Sequence, residues 1–278
     1  MRKFVRFNGE IKGLQTMKVR FLSLSLAFLL LSVLPSCKID DACLSWEQCQ
    51  SAPEGRAAAS YCSVGGKAYI LGGRTTGNTQ LSNRADDYAR TILIYDSQTD
   101  SWFVEPLPQE ISPRVLPVAT VIDDTIYFGL GYNGGSVDEN DSYLRDFWRF
   151  TPSSNQWERL TDFPITQSAG AVAMPYKKHI FITHGSGDGR SSDIMDYDIE
   201  ADTWTLIEPK KQVLPYPPRV ENAVGLSCTD SLGVLRCYMG TGFRHNSRNI
   251  WAEWSPNNKK WIKRRILPTK GRSAAAAT

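Results

Sequence analysis

Four arginines head similar short stretches: Arg56-Ala57-Ala58, Arg114-Val115-Leu116, Arg219-Val220-Glu221 and Arg272-Ser273-Ala274. A guanidinium is planar, stays charged, and presents paired N–H donors that match both oxygens of a carboxylate. Arginines at equivalent positions could therefore grip an acidic ligand. They could also stack on neighbouring loops and hold the fold together, and the residue types alone leave both uses open. Glu221 lies two residues after Arg219. Alternate residues of an extended segment share a face, so this acid is expected beside that cation.

Other reactive side chains fall into no constellation. His179, His184 and His245 are the only histidines, and no two have metal-ligand spacing. Asp138-Glu139-Asn140-Asp141 lacks the alternating ligands of a calcium loop and reads as a solvated acidic loop. No glycine-rich phosphate loop or nucleophile elbow is present, so no cofactor is expected. Tyr132, Trp148 and Trp251 could stack on a sugar, although their strand positions favour core packing for the two tryptophans. Cys228 and Cys237 flank "TDSLGVLR". A hairpin turning near Leu232-Gly233 would set them opposite each other, which predicts a disulfide. Cys43 and Cys49 are a second candidate pair, Cys62 reads as a small buried strand residue, and the spacings fit no zinc site.

The elements that must position these groups begin after a leader. Lys18 and Arg20 precede the apolar run Phe21 to Leu34, which is too short for a membrane span and reads as an export signal over residues 1–36. Met17 restarts that pattern, so residues 1–16 fit an over-called start. Leu34-Pro35-Ser36-Cys37 resembles a bacterial lipoprotein box in which Cys37 carries the lipid. Lys38-Ile39-Asp40-Asp41 then resembles an outer-membrane sorting signal, within a tether over residues 37–43. The expectation is an exported outer-membrane lipoprotein that meets the membrane through its anchor only. The leader also holds six of the 32 Lys/Arg and one of the 29 Asp/Glu, so the remainder is slightly acidic. That charge gives no reason to expect a nucleic-acid partner.

A repeat organises residues 44–278. An aromatic residue stands seven positions before a tryptophan four times: Tyr95/Trp102, Phe150/Trp157, Tyr197/Trp204 and Trp254/Trp261. Each pair brackets a polar turn, as in "YDSQTDSW", and reads as two short strands. Upstream of each, a strand ends on glycine: Gly73, Gly131, Gly185 and Gly242. The stretches headed by Arg56, Arg114, Ser168 and Arg219 begin the strand before that one. Four strands per unit, a glycine-ended strand and a Tyr-Asp turn closed by Trp resemble the kelch repeat, whose unit of about 50 residues forms one propeller blade. The resemblance implies an all-β propeller of four-stranded antiparallel blades.

Arg272-Ser273-Ala274-Ala275-Ala276 echoes the first unit and reads as the innermost strand of a further blade. Leu44-Ser45-Trp46 reads as an outermost strand. A first strand cannot pair with a fourth across the gap of two, since strands pair only at about 4.8 Å. The sequence therefore reads as four blades plus orphan first and last strands, either a C-terminally truncated form of a parent with about six blades or a tight ring whose ends stay frayed; truncation is the leading expectation.

The kelch resemblance carries implications for function. It implies that Arg56, Arg114, Arg219 and Arg272 reach the channel mouth and hold carboxylates; the third unit departs, with Gln167-Ser168 there. Copper oxidases on this propeller need a Tyr, His and Cys set that these residues do not supply. The leading expectation is a binding module for a glycan or an acidic protein partner. The alternative is a sugar-acid mutarotase resembling secreted bacterial kelch enzymes that act on sialic acid. There the arginines would hold the substrate carboxylate, and Glu221 would shuttle the ring hydroxyl proton as the catalytic group.

Overall fold

The structure, a computed structural model, describes residues 47–75, 87–134, 142–165, 168–186, 193–208, 217–268 and 270–272. The leader and tether with Cys37 and Cys43, the Leu44–Trp46 strand, Asp138–Asp141, Gln167 and Ala274–Ala276 lie outside the described residues.

From Ala52 onward the chain forms one compact unit built of antiparallel sheets. A short outlying pair, β1 (Arg56–Ala57) and β4 (Arg74–Thr75), frames the first blade of β2 (Ser60–Val64), β3 (Lys67–Leu71), β5 (Thr91–Asp96) and β6 (Ser101–Pro106). The second blade is β7 (Val118–Ile122), β8 (Thr125–Gly129), β9 (Phe147–Thr151) and β10 (Gln156–Leu160). The third is β11 (Val172–Tyr176), β12 (His179–Thr183), β13 (Ile194–Asp198) and β14 (Thr203–Ile207). The fourth is β15 (Glu221–Thr229), β16 (Leu235–Arg244), β18 (Trp251–Ser255) and β19 (Lys260–Lys263), with β17 (Asn246–Ser247) paired to β16. These are the four meandering propeller blades that the repeat predicts.

The aromatic-to-tryptophan spacing has a direct cause. Tyr95↔Trp102, Phe150↔Trp157, Tyr197↔Trp204 and Trp254↔Trp261 are facing residues of the third and fourth strands. Their rings meet at 4.6–5.3 Å, so each hairpin closes on a cross-strand aromatic pair. Two positions before each tryptophan, Asp100, Asn155, Asp202 and Lys259 take positive φ and turn the chain. The Tyr95 and Tyr197 hydroxyls donate to Asp100 and Asp202 at 2.7 and 2.5 Å. In these two hairpins ring, turn and acid fix one another.

Middle strands are apolar on both faces because each blade is packed between neighbours. Tyr69, Leu71 and Ile92 of the first blade meet Ile126, Phe128 and Trp148 of the second. Tyr127 and Phe147 meet Ile180, Ile182 and Tyr197 on the next boundary. Met174, Phe181 and Ile194 meet Cys237, Met239 and Trp254 on the third. This explains why "IFIT" in β12 is buried at every position, where a strand buried on one face would alternate.

Near the centre, main-chain hydrogen bonds join the blades. Leu116 N–H donates to Ala58 C=O at 2.8 Å, Gly170 to Leu116 at 2.9 Å, and Asn222 to Gly170 at 3.0 Å. A second row runs from Gly73 to Arg114, Gly131 to Ser168 and Gly185 to Val220, at 2.8–3.0 Å. Ala58, Leu116, Gly170 and Asn222 all have positive φ, which turns their peptide groups toward the next blade. These rows set the true equivalence of the units. Arg56, Arg114, Ser168 and Val220 correspond, which puts Arg219 one position earlier than its expected place.

The predicted Cys228–Cys237 disulfide is corrected by the strand register. Cys237 faces Ser227, and Cys228 faces Arg236. Facing residues share a side of the sheet and adjacent ones do not, so the two sulfurs point to opposite faces. Both thiols are free, Cys237 buried and Cys228 exposed. Burial pushes the Cys237 thiol up to about 11 and the Cys62 thiol up to about 12.

Candidate functional site

The antiparallel meander gives every blade two ends. Short turns such as Gly65-Gly66, Asp123-Asp124 and Lys177-Lys178 occupy one rim. The motif glycines and the starts of the innermost strands occupy the other, which forms the channel mouth.

Two of the arginines expected to meet a ligand at this mouth instead hold strands of their own blade together. Arg114 is completely buried. Its Nη1 and Nη2 donate to the two carboxylate oxygens of Asp146 at 2.8 and 2.6 Å, its Nε to Ser112 C=O at 2.9 Å, and Nη1 also to Leu130 C=O at 3.1 Å. The guanidinium carbon lies 5.2 Å from the Phe128 ring centre. Arg56 repeats the arrangement, with Nη1 on Gly72 C=O and Thr91 C=O at 3.0 and 2.9 Å and Nε on Glu54 at 3.0 Å. Thr91 and Asp146 both stand eleven residues before their blade's tryptophan. Each arginine therefore ties the inner strand to the third strand of its own blade.

Further round, the rivet is missing. Ser168 and Val220 occupy the arginine position, and His184 takes the place held by Gly72 and Leu130. Its Nδ1 is 2.9 Å from Thr183 Oγ1, and its ring meets Trp261 edge-on at 6.0 Å. Burial pushes its pKa down to about 4; the Pro217 and Pro218 carbonyls oppose the shift and nearby Arg219 adds to it.

The sign of the consequence follows from linkage. Above the ordinary histidine value both folded and unfolded states are neutral. Between about 6.5 and 4 only the unfolded chain takes the proton, so stability falls as pH drops through that window. A shift of this size corresponds to roughly 3 kcal/mol. Urea unfolding at neutral pH and near pH 4 should show that loss, and His184→Asn, which tolerates the same positive φ, should remove most of it.

The remaining expected residues are placed as follows. Arg219 is half-buried and precedes β15. The strand begins at Glu221, so the period-two alternation expected to pair these residues does not extend to Arg219. Glu221 faces Phe243 across the β15–β16 ladder at the mouth. Arg272 is exposed, and its N–H donates to Arg248 C=O at 2.8 Å. His179 Nδ1 lies 2.9 Å from Asp196, and His245 is exposed in the turn of the β16–β17 pair, two residues past Phe243.

Of the residues that follow the motif glycines, sequence reasoning singles out Tyr132 as a stacking surface and misses Arg74, Ser186 and Phe243. Arg74, Tyr132, Ser186 and Phe243 bridge to Ala57, Val115, Ala169 and Glu221, so all four are carried onto the innermost strands at the mouth. The Arg74 guanidinium lies 5.8 Å from the ring centre of buried Tyr88. Burial raises the Tyr88 hydroxyl, and the Arg74 charge opposes that rise. Tyr132 meets Tyr143 edge-on at 5.3 Å. The signal was available: the glycine repeats, while its successor changes from cation to aromatic to hydroxyl to aromatic. Trp148 is buried and its indole donates to Asp146 at 2.6 Å. Trp251 stacks on Tyr238 at 5.8 Å in the fourth blade.

Comparison with known proteins agrees with this architecture. Residues 36–231, more than half of the chain, match the model of the KLHDC2/KLHL20/DRC7 Kelch-repeats domain. The Kelch-like protein terF of Aspergillus terreus is 26% identical over 171 residues, covering 59% of this chain and 36% of that protein. The F-box/kelch-repeat protein At5g03020 of Arabidopsis thaliana is 32% identical over 123 residues, covering 44% of this chain and 30% of that one. The chain thus spans about a third of the length of these curated relatives. The solved structure of YjhT is similar at a TM-score of 0.62 and 17% identity, over 83% of this chain and 76% of that one, a likeness of fold.

Proposed function

Because the chain belongs to the kelch-repeat family, we propose that it is an interaction module, exported and held at the outer membrane through Cys37, whose mouth binds a carboxylate-bearing partner. The observation that carries this reading is the mouth composition. A cation, two aromatics and a hydroxyl, at Arg74, Tyr132, Phe243 and Ser186, occupy one repeated backbone position. Scaffold roles repeat with the repeat, as the facing aromatic pairs do; ligand roles vary from unit to unit. Arg74 and Arg219 supply positive charge for a carboxylate, and Tyr132 and Phe243 supply flat apolar surface. An acidic segment of a protein or the acid group of a glycan presents that chemistry.

The test compares an acidic peptide library with uronate- and sialate-containing glycans. Arg74→Ala with Arg219→Ala is expected to weaken the bound class by at least about tenfold, and Phe243→Ala by several-fold. Equal binding by wild type and variants would sink the carboxylate assignment. The mutarotase alternative is checked in the same samples. Freshly dissolved sialic acid followed by NMR should equilibrate its anomers no faster with the protein than without; acceleration abolished by Glu221→Gln would replace the binding reading with the enzymatic one.

A further inference from the structure

The turn rim, opposite the mouth, carries a departure from the repeat in the fourth blade. The first two strands of the other blades are five residues each, whereas β15 has nine and β16 has ten. Cys228↔Arg236 corresponds to Tyr176↔His179, the last pair before the turn in the third blade. Beyond it, Thr229↔Leu235 and the Asp230–Val234 hydrogen bond carry the hairpin about 7 Å further out.

Asp230 sets the shape of this arm. Its Oδ1 accepts the N–H groups of Leu232 and Val234 at 2.9 Å each, and its Oδ2 takes Arg236 Nε at 2.8 Å. The Gly233 N–H donates to the Asp230 carbonyl at 2.9 Å. A turn so tied has little conformational freedom left to lose. Yet it holds two aliphatic side chains in water, with Leu232 81% and Val234 47% exposed. The corresponding turns of the other blades present Gly65-Gly66, Asp123-Asp124 and Lys177-Lys178.

The same rim also carries lysines. Lys259 and Lys260 lie at the β18–β19 turn, on the same rim as the arm, and both are exposed. A rigid apolar tip beside exposed ammonium groups matches an interface of acyl chains beneath anionic headgroups.

We infer that the β15–β16 arm is a contact for an anionic lipid surface: Leu232 and Val234 enter the headgroup boundary while Lys259 and Lys260 meet the phosphates. Docked in this way, the propeller turns its mouth away from the bilayer. The contact is separate from the mouth, so ligand binding measured in solution is unaffected if it fails.

Hydrogen exchange of the full chain reads the arm directly, whatever the leader does. Vesicles containing phosphatidylglycerol are expected to slow exchange across residues 229–235 by about tenfold or more, and phosphatidylcholine vesicles far less. Leu232→Asp with Val234→Asp should abolish the slowing without moving the thermal midpoint, because both side chains face solvent. Unchanged arm exchange, equal slowing on the two vesicle types, or slowing retained by the double variant would each overturn the inference. Protection that rises with protein concentration in the absence of lipid would assign the arm to self-association and overturn it as well.

Discussion

Replacing Arg114 by alanine is expected to destabilise the protein by about 3–5 kcal/mol, enough to unfold a large fraction of many domains of this size. The cost is not the loss of one attraction. Burial raises the Asp146 carboxyl; the Arg114 hydrogen bonds and charge, with the Trp148 indole, more than offset this and hold it below the ordinary range. Remove the guanidinium and a largely enclosed carboxylate keeps the burial penalty without its partner. The Leu130 and Ser112 carbonyls lose a donor in the same step. Urea unfolding of Arg114→Ala, Asp146→Ala and the double variant measures this. The double variant should lose little more than either single one, the signature of one coupled unit. A pH series adds a sign. A depressed carboxyl contributes stability above its unfolded value near 4 and loses it as pH falls through the folded one, so the wild-type advantage over Arg114→Ala should shrink in acid. Were Arg114 a ligand-gripping residue, the variant would keep its stability and lose binding. The geometry demands the reverse: lost stability, with ligand affinity retained per folded molecule.

Gly131→Ala is expected to cost more than about 3 kcal/mol, against about 1 kcal/mol for Gly65→Ala. Both glycines have positive φ, +96° and +57°. The difference is space. A Cβ at Gly131 would sit 2.6 Å from the Val115 carbonyl oxygen and 3.1 Å from the Pro117 backbone, atoms that cannot move aside without parting the strands. At Gly65 it would meet nothing within 4 Å. Gly131 N–H also donates to Ser168 C=O, so any shift that makes room breaks a bond to the next blade. Comparing the two substitutions by thermal and chemical unfolding separates conformational strain from crowding, and similar losses would show the crowding to be relieved.

The blades were legible in the sequence because their markers are tied to backbone geometry. Tryptophan faces its aromatic partner across one turn, and the glycine sits where the next blade's main chain approaches within contact. Register was less legible. Arg219 was matched to Arg114 by its letter, although the inter-blade hydrogen bonds align Val220 there, and no composition reports a one-residue offset. The same limit produced the disulfide expectation: "C…C" flanking a turn sets loop length, while the face of each sulfur depends on which residues pair. The arginines were recognised as special, but their use depends on whether acids such as Asp146, 32 residues away, fold back onto them. Of the mouth residues Tyr132 stands out in the sequence as an aromatic; Arg74, Ser186 and Phe243 do not, because a position that varies leaves no repeat to find.

The two rows of bonds joining successive blades near the axis are made by peptide groups, with one side-chain bond, Ser60 Oγ to Pro117 C=O, beside them. Side chains at the positions following the glycines lie outside those rows, and their chemistry changes from blade to blade. A wheel joined through its peptide spine is therefore an evolvable receptor. Its specificity can be rewritten one spoke at a time, each change judged only by what it captures.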